Sequence, residues 1–346
     1  MFRKVCLKNF RAVEDRCVEL GGFTLIYGPP NSGKSTFLEA LALLIQSRGE
    51  EWLALEGPLL IIHEPEDIHQ GGDLERPFVV EFTAAVESGA VTYGYKYATA
   101  TNYVEQWVAR EGVLLAHMAK RGDGGYLVEP VEAKLCVTPY AVINEDVLTP
   151  CSPVEDGRVK AAERALLELR IGLKDRFYLI SGRRLAAWKY TYETHVDLMP
   201  ATSVGPEGQF VPHHLSKVLT QPSLHRAREE LYRYLPLAGV GDVRVGFIKS
   251  GRLAMYVKDR HWTNVYNAGL YTKSVLPVVV QLALANAGSS IFIDDVDLAV
   301  PSDRSEALLS GLLEAARRRG LQLVATAKEP GFKRAGERLG FEVVEL

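Results

Sequence analysis

The chain has 346 residues, 47% of them hydrophobic and 24% charged, with a net charge of −3. That composition is ordinary for a folded soluble protein of one large α/β domain or two lobes. The small negative charge excludes global attraction to nucleic acid, so any such contact would come from a local patch. Met1-Phe2-Arg3-Lys4 leads straight into a strand rather than a signal peptide, and the longest apolar helical runs, 36–46 and 274–287, are too short for a bilayer. The expected location is the cytoplasm, with no membrane partner.

The first 27 residues alternate, predicting two amphipathic strands and then a buried one, Phe23 to Tyr27. Residues 28–36 follow as GPPNSGKST, a complete G-x-x-x-x-G-K-[ST] phosphate loop, and a Leu/Ala-rich helix runs from Thr36 to Gln46. Strand, loop and helix in that order are the context the motif requires. Gly28 and Gly33 let the backbone turn its N–H groups inward, with Pro29, Pro30, Asn31 and Ser32 forming the cradle between them. Lys34 brings a charge to the β and γ phosphates, Ser35 a hydroxyl for Mg²⁺, and Thr36 opens a helix whose N-terminus favours an anion. The bland alternative is a glycine-rich turn without ligand. ATP and Mg²⁺ are the expected cofactors.

An irregular stretch from 49 to 72 comes next, then strands over 78–84, 90–97 and 102–109 and a hairpin near Gly124-Gly125, together an antiparallel β lobe. Residues 153–173 read as an amphipathic helix with no sustained heptads, and hence no coiled-coil arm. Residues 190–222 read as irregular, His213-His214 among them as loop. A helix over 223–234 and strands near 242–248 and 252–258 precede a run of α/β alternation. That run has helices at 273–287, 303–319 and 331–339 and strands at 290–294, 321–326 and 341–345. The expected organisation is an N-terminal half of the core (1–72), a β lobe (73–150), a helical or irregular lobe (151–240) and a C-terminal half of the core (241–346).

Ser290 to Ile293 is a buried strand ending in Asp294-Asp295. An acid at that end suits the Mg²⁺ shell (Asp294), and the next one suits the attacking water (Asp295). Two loop or helix-capping aspartates are the alternative. Cys6, Cys17, Cys136 and Cys151 show no zinc spacing. Cys6 and Cys17 face each other on the N-terminal hairpin, but buried free thiols are expected, a disulfide being reserved for a hyperthermophile. Arg183, Arg184, Trp188, Lys189, Tyr190 and Tyr192 interleave bases and aromatics, which suits single-stranded nucleic acid, although a structural strand edge is favoured. His225, Arg226, Arg228 and Arg233 share a helix with Glu229 and Glu230 and read as a solvated, ion-paired face. Arg317-Arg318-Arg319 before Gly320 reads as a helix end.

The opening KVCLKNFRAVEDRCVELGGFTLIYGPPNSGKSTFLEAL resembles the start of RecF- and SMC-type ATPases, ABC-class proteins with split heads. FYLISGRRLAAWKY with VGPEGQFVPHHLSKVL, and AGLYTKSVLPVVVQLALANAGSSIFIDDVDLAVP, are similar to compact prokaryotic ATPases of the RecF/OLD-like group. The resemblance implies an α/β P-loop NTPase with an ABC-type split head, a mixed central sheet, an antiparallel β lobe and a helical lobe. It implies a homodimer formed on ATP, in which Ala268 to Ser274, through Gly269, Thr272 and Lys273, reaches the partner's γ-phosphate. A core helix with Pro277 in its first turn is the other reading of that segment. The resemblance assigns catalysis to Asp295 and Lys34, metal contact to Ser35, Asp294 and Gln70, nucleotide contact to Arg11 and the γ-phosphate switch to Lys328. For Gln70 a loop glutamine, and for Arg11 a surface strand residue, stay open. Tyr271 in place of a second glycine, Asp295 for glutamate, Val296-Asp297 for Pro-Glu and Lys328 for histidine are departures that imply slow hydrolysis, with ATP binding surviving better than turnover. No Toprim domain follows Asp295, so no nuclease centre is expected in this polypeptide. The expected function is an ATP-driven switch in DNA repair, maintenance or defence, acting on DNA or a partner protein such as a nuclease. The alternative is a hydrolysis-deficient, ATP-responsive scaffold. A transporter ATPase is disfavoured by the lack of an LSGGQ-like stretch.

Overall fold

The computed structural model describes residues 1–122, 124–136, 140–185, 202–247 and 253–346. Along the chain, β1 (Phe2–Phe10), β2 (Val13–Glu19) and β3 (Phe23–Tyr27) lead into α1 (Lys34–Gln46). Then β4 (Phe78–Val86), β5 (Gly89–Ala98), β6 (Tyr103–Arg110), β7 (Val113–Arg121), β8 (Gly124–Glu129) and β9 (Ala133–Leu135) precede α2 (Gly157–Gly172). Next come β10 (Phe177–Ile180), α3 (Val211–Thr220), α4 (His225–Tyr234), β11 (Asp242–Phe247), β12 (Leu253–Lys258) and β13 (Trp262–Asn264). The order ends with α5 (Leu270–Leu284), β14 (Ser290–Ile293), α6 (Ser305–Arg319), β15 (Gln322–Ala327), α7 (Pro330–Leu339) and β16 (Glu342–Glu345). These elements fall into two compact units, Met1–Gly21 with Pro30–Lys174, and Gly22–Pro29 with Asp175–Leu346.

The first unit is built on an antiparallel sheet in the order β2-β1-β4-β5-β6-β7-β8-β9. Its strands alternate as a half-buried pleat should: in β4, Phe78, Val80, Phe82 and Ala84 are buried while their neighbours are half-buried. Phe2 meets Phe82, and Phe10 meets Phe78, ring edge to ring face, tying β1 to β4. The N-terminal hairpin thus joins the antiparallel lobe rather than a separate half of the core. The stretch from 49 to 72 is irregular but not loose. Gln46 at the end of α1 donates to the Ala54 and Leu60 carbonyls at 2.6 and 3.1 Å and accepts from the Leu60 N–H at 2.9 Å.

The cysteines depart from expectation. Cys6 and Cys17 are directly paired across β1 and β2, with Cα atoms 4.0 Å apart, and form a disulfide; Cys136 and Cys151 form another. Cys17, Cys136 and Cys151 are exposed, so these are neither buried nor free thiols. Opposed positions on a hairpin supply the short Cα distance a disulfide needs.

The second unit holds a parallel sheet in the order β10-β14-β15-β3-β16. Its strands read as continuous apolar runs because both faces are covered; all four residues of β10 and of β14 are buried. Helices α6 and α7 are the crossovers from β14 to β15 and from β15 to β16. β3, from the far end of the sequence, is inserted between β15 and β16. The sheet carrying the phosphate-loop strand is therefore parallel throughout. β11, β12 and β13 form a small antiparallel sheet beside it in the chain order.

Residues 211–220 form α3, which corrects the reading of 190–222 as irregular; residues 186–201 lie outside the described residues, and with them Trp188, Lys189, Tyr190 and Tyr192. His214 is buried on α3, and its Nε2 lies 2.8 Å from the Ser203 carbonyl, which can only accept, so that nitrogen carries the proton. Burial pushes its pKa down to about 4, the Ser203 carbonyl partly opposing the shift. A neutral histidine lowered in this way contributes stability above pH ~6.5 that is lost as pH falls through about 4. Urea titrations from pH 7 to 4 should lose up to about 3 kcal/mol more in the wild type than in His214→Gln.

Candidate functional site

β3 ends at Tyr27, and the Gly28 N–H donates to the Ala327 carbonyl at 3.2 Å, anchoring the start of the phosphate loop to β15. Further on, Asn31 and Gly33 take positive φ, 64° and 91°. Gly33 is also the N-cap of α1 and brings no side chain to it. A Cβ there would lie 3.0 Å from Val13 Cγ2, so both the backbone and the space demand glycine. The Thr36 N–H donates to the Gly33 carbonyl, leading the chain into the helix. Lys34 and Thr36 are buried and Ser35 half-buried, and the Lys34 ammonium lies 3.4 Å from Ser32 Oγ.

Arg11, with φ 51°, donates its backbone N–H to Ile68, and its guanidinium pairs with Glu39 on α1. Gln70 sits in a 3-10 turn, Gln70–Gly72, where its Oε1 accepts from Arg76 at 3.4 Å. Both carry interactions within the first unit, and neither a nucleotide nor a metal role is needed to account for them.

The acidic pair lies at the end of β14 in the second unit. The Asp294 N–H donates to the Ile180 carbonyl at 2.8 Å, tying it to β10. Thr326 Oγ1, on β15, donates to Asp294 Oδ1 at 2.7 Å and accepts from the Asp295 N–H at 2.7 Å. One hydroxyl thereby orients one carboxylate and the backbone of the other. Asp295 has φ 45°, a left-handed conformation that costs a non-glycine residue free energy and so needs surrounding support. Burial raises its carboxyl above the ordinary aspartate range, Asp294 adds to the rise, and the Lys328 ammonium opposes it. Lys328 therefore stands close enough to the pair to act on it electrostatically.

Two contributors, Gly182 and Thr326, were not singled out from the sequence, and Asp297 entered it only as a departure from a Pro-Glu pair. A Cβ on Gly182 would lie 3.0 Å from Asp295 Oδ2 and 3.2 Å from Asp294 Oδ2, so glycine lets the turn after β10 approach both carboxylates. Thr326 is the last but one residue of β15, Gln322–Ala327, and one of two polar residues in it, a pattern that does not mark it for the acidic pair. Asp297 is buried, and its Oδ2 accepts the Lys328 and Glu329 N–H groups at 2.8 Å each, holding the turn that leads from β15 into α7.

At α5, Gly269 is the N-cap in extended backbone, exposed together with Leu270. Tyr271 donates its hydroxyl to Leu237 and lies under Arg304, and Thr272 Oγ1 donates to the Ala238 carbonyl at 2.9 Å. Lys273 Nζ donates to the Tyr266 carbonyl at 2.6 Å. Pro277 falls inside α5 rather than in its first turn, because the helix begins at Leu270. At the far end of α5, Arg319 donates to the carbonyls of Leu282 and Ala283, so this arginine closes α5 besides ending its own helix. On α4, Glu230 pairs with Arg233 and Arg318, the ion-paired face expected.

The AAA domain family matches residues 4–90, which contain the phosphate loop. The whole fold is similar to an SMC head bound to the C-terminal winged-helix domain of ScpA, at 11% identity and TM-score 0.54, covering 96% of this chain and 91% of that one. The fold is that of an SMC head. A second similar structure is an SMC head with an extended coiled coil, bound to the C-terminal domain of ScpA derived from Pyrococcus furiosus, at 12% identity and TM-score 0.50 over 96% and 91% of the two chains. No curated protein matches in sequence. No helix among the described residues is long and apolar enough to cross a membrane.

Gly182→Ala places a methyl against both carboxylates. We expect phosphate release, assayed at saturating ATP, to fall by about tenfold or more while ATP affinity stays within a few-fold. Parallel loss of both would show that the acidic pair is not what Gly182 serves.

Proposed function

We propose that the chain binds ATP with Mg²⁺ and hydrolyses it slowly, as a switch whose head pairs with a second copy on ATP. The observation that carries this reading is the strand order β14-β15-β3. Parallel register sets Ile293 level with Ala325 and Ala325 level with Leu25. The strand leading to GPPNSGKST and the strand leading to Asp294-Asp295 therefore end on the same side of the sheet with one strand between them. Adjacent strands lie ~4.8 Å apart, so the two ends stand roughly 10 Å apart. Ligands of open parallel sheets bind outside the carboxyl ends of the strands.

The donor set fits magnesium. A serine hydroxyl and aspartate carboxylate are hard oxygen ligands, and Asp294 and Asp297 both act to raise the Asp295 pKa, a field that a cation relieves. In this reading Ser35 and Asp294 hold the metal, which neutralises phosphate charge when bound. Gly28, Pro29, Pro30, Asn31, Ser32, Gly33 and Thr36 supply the cradle and Lys34 contacts the β and γ phosphates. Asp295, a stronger base for its raised pKa, takes a proton from the attacking water as the bond from Pγ to the bridging oxygen breaks. Its reach, one methylene shorter than glutamate, supports slow turnover. Gln70 and Arg11 would have to exchange their present partners to reach metal or nucleotide. Gly269, Thr272 and Lys273 are proposed to face the γ-phosphate of the second copy, and Lys328 to sense the γ-phosphate. The similar SMC heads bind ScpA; for this chain a separate protein, such as a nuclease, or DNA is the proposed partner.

One observation favours the second reading, a scaffold that binds ATP without turnover. Tyr271, where a second glycine is expected, has its ring against Gly239 and its hydroxyl on Leu237. That fixes a bulky side chain at the tip of α5.

Equilibrium nucleotide binding and Mg²⁺-dependent phosphate release on three proteins decide between them. Lys34→Ala should weaken ATP by about a hundredfold or more, whereas Asp295→Asn should bind normally and lose about 100-fold in turnover. Wild-type binding without release supports the scaffold, and wild type indifferent to ATP refutes both.

A further inference from the structure

Four residues after Ile180, Arg184 is buried to 1% exposure, the largest side chain in the described residues to be so enclosed. Its neighbour Arg183 is exposed. Among the described residues, the acceptors of the Arg184 guanidinium are backbone carbonyls and one hydroxyl. Nε donates to the Ser274 carbonyl at 2.9 Å and to its hydroxyl at 3.1 Å. Nη1 donates to the Ser181 carbonyl at 3.1 Å and to the Asp294 carbonyl at 2.6 Å. Nη2 donates to the Asp295 carbonyl at 2.6 Å. One rigid fork thus joins three segments that are remote in sequence: the turn after β10, the start of α5 and the turn after β14.

Burying a charge in this way is costly, and a neutral side chain of similar volume would fill the space at less expense. Burial brings the pKa down to about 10, so the group stays charged at neutral pH, supported at longer range by Asp294, Asp295 and Asp297. The contacts themselves show what the charge achieves. Asp295 occupies left-handed backbone, which ordinary residues leave when free to do so. Thr326 holds its N–H from β15, and Arg184 holds the carbonyls of Asp294 and Asp295. Released from the fork, the turn could relax to common φ and swing the Asp295 carboxylate away.

We propose that Arg184 is a positioning residue whose guanidinium clamps the backbone of Asp294 and Asp295 to the start of α5 and so sets the direction of the Asp295 carboxylate. This rests on the reading of Asp295 as the group that handles the attacking water. Lysine cannot replace the fork, since an ammonium is a point donor without its planar spread.

The test uses the full chain with Arg184→Lys and Arg184→Met, followed by hydrogen–deuterium exchange, ATP binding and phosphate release. Exchange should rise selectively in the segments 293–298 and 270–276 and stay unchanged in β15 and α6. ATP affinity should remain within about threefold while kcat falls about 10- to 100-fold, with lysine milder than methionine. Unchanged exchange in both segments overturns the clamp whatever the activity. A uniform rise in exchange, with affinity and turnover lost together, overturns it in favour of a general packing role. If the wild type releases no phosphate, the role of Asp295 fails while exchange still decides the clamp. Should both variants fail to fold, Ser274→Ala removes one acceptor only; it should raise exchange in the same two segments, and no change there counts against the clamp.

Discussion

Parallel pairing of β3 with β15, and of β15 with β14, is the constraint on which everything else rests. The two halves of the candidate site stand at opposite ends of the sequence. Backbone hydrogen bonds along β15 are what bring their strands into one sheet, in register and pointing the same way. A register shift of one residue in either pairing would displace the end of β3 relative to the acids and exchange the two buried faces of the strand, so that every side chain met the wrong neighbours. The register is held by burial: β14 and β15 are enclosed along their whole length, so a slip has no exposed face to tolerate it.

Around the acids the fold spends stability on geometry. Asp295 sits in a backbone conformation it resists, with a carboxyl whose charge is disfavoured by burial, beside a second carboxylate. Thr326, Gly182 and Arg184 hold that arrangement from β15 and from the turn after β10. Strain stored next to a titratable pair is a pattern that functional sites show more often than structural turns do. Asp297, by contrast, uses one oxygen, Oδ2, to hold the turn between β15 and α7, while its Oδ1 is buried without a partner among the described residues.

The strand, loop and helix from β3 to α1 and the run from α5 to β16 were legible in the sequence for the same reason: their signals are local. GPPNSGKST is contiguous, and parallel strands buried on both faces read as unbroken apolar runs such as Ser290-Ile291-Phe292-Ile293. α3 was hidden because two histidines and a proline mask an i, i+3, i+4 pattern whose buried members are Val211, His214, Leu215 and Val218. Gly182, Arg184 and Thr326 carry no local signal of their task, since each acts on residues more than thirty positions away. Arg184 looked like one base in a basic and aromatic stretch, and only its burial shows otherwise. The disulfides were misread because the expectation came from redox compartment rather than from the register that sets Cys6 opposite Cys17.

The central claim is that loop and acidic pair serve one magnesium–triphosphate. The most direct measurement is a crystal structure of the protein with Mg²⁺ and a non-hydrolysable ATP analogue. The account predicts the triphosphate in the loop at 28–36, Ser35 Oγ at about 2.1 Å from the metal and Asp294 in the metal's coordination shell, directly or through one water. A metal held without Ser35 and Asp294, or a nucleotide seated elsewhere, would contradict it.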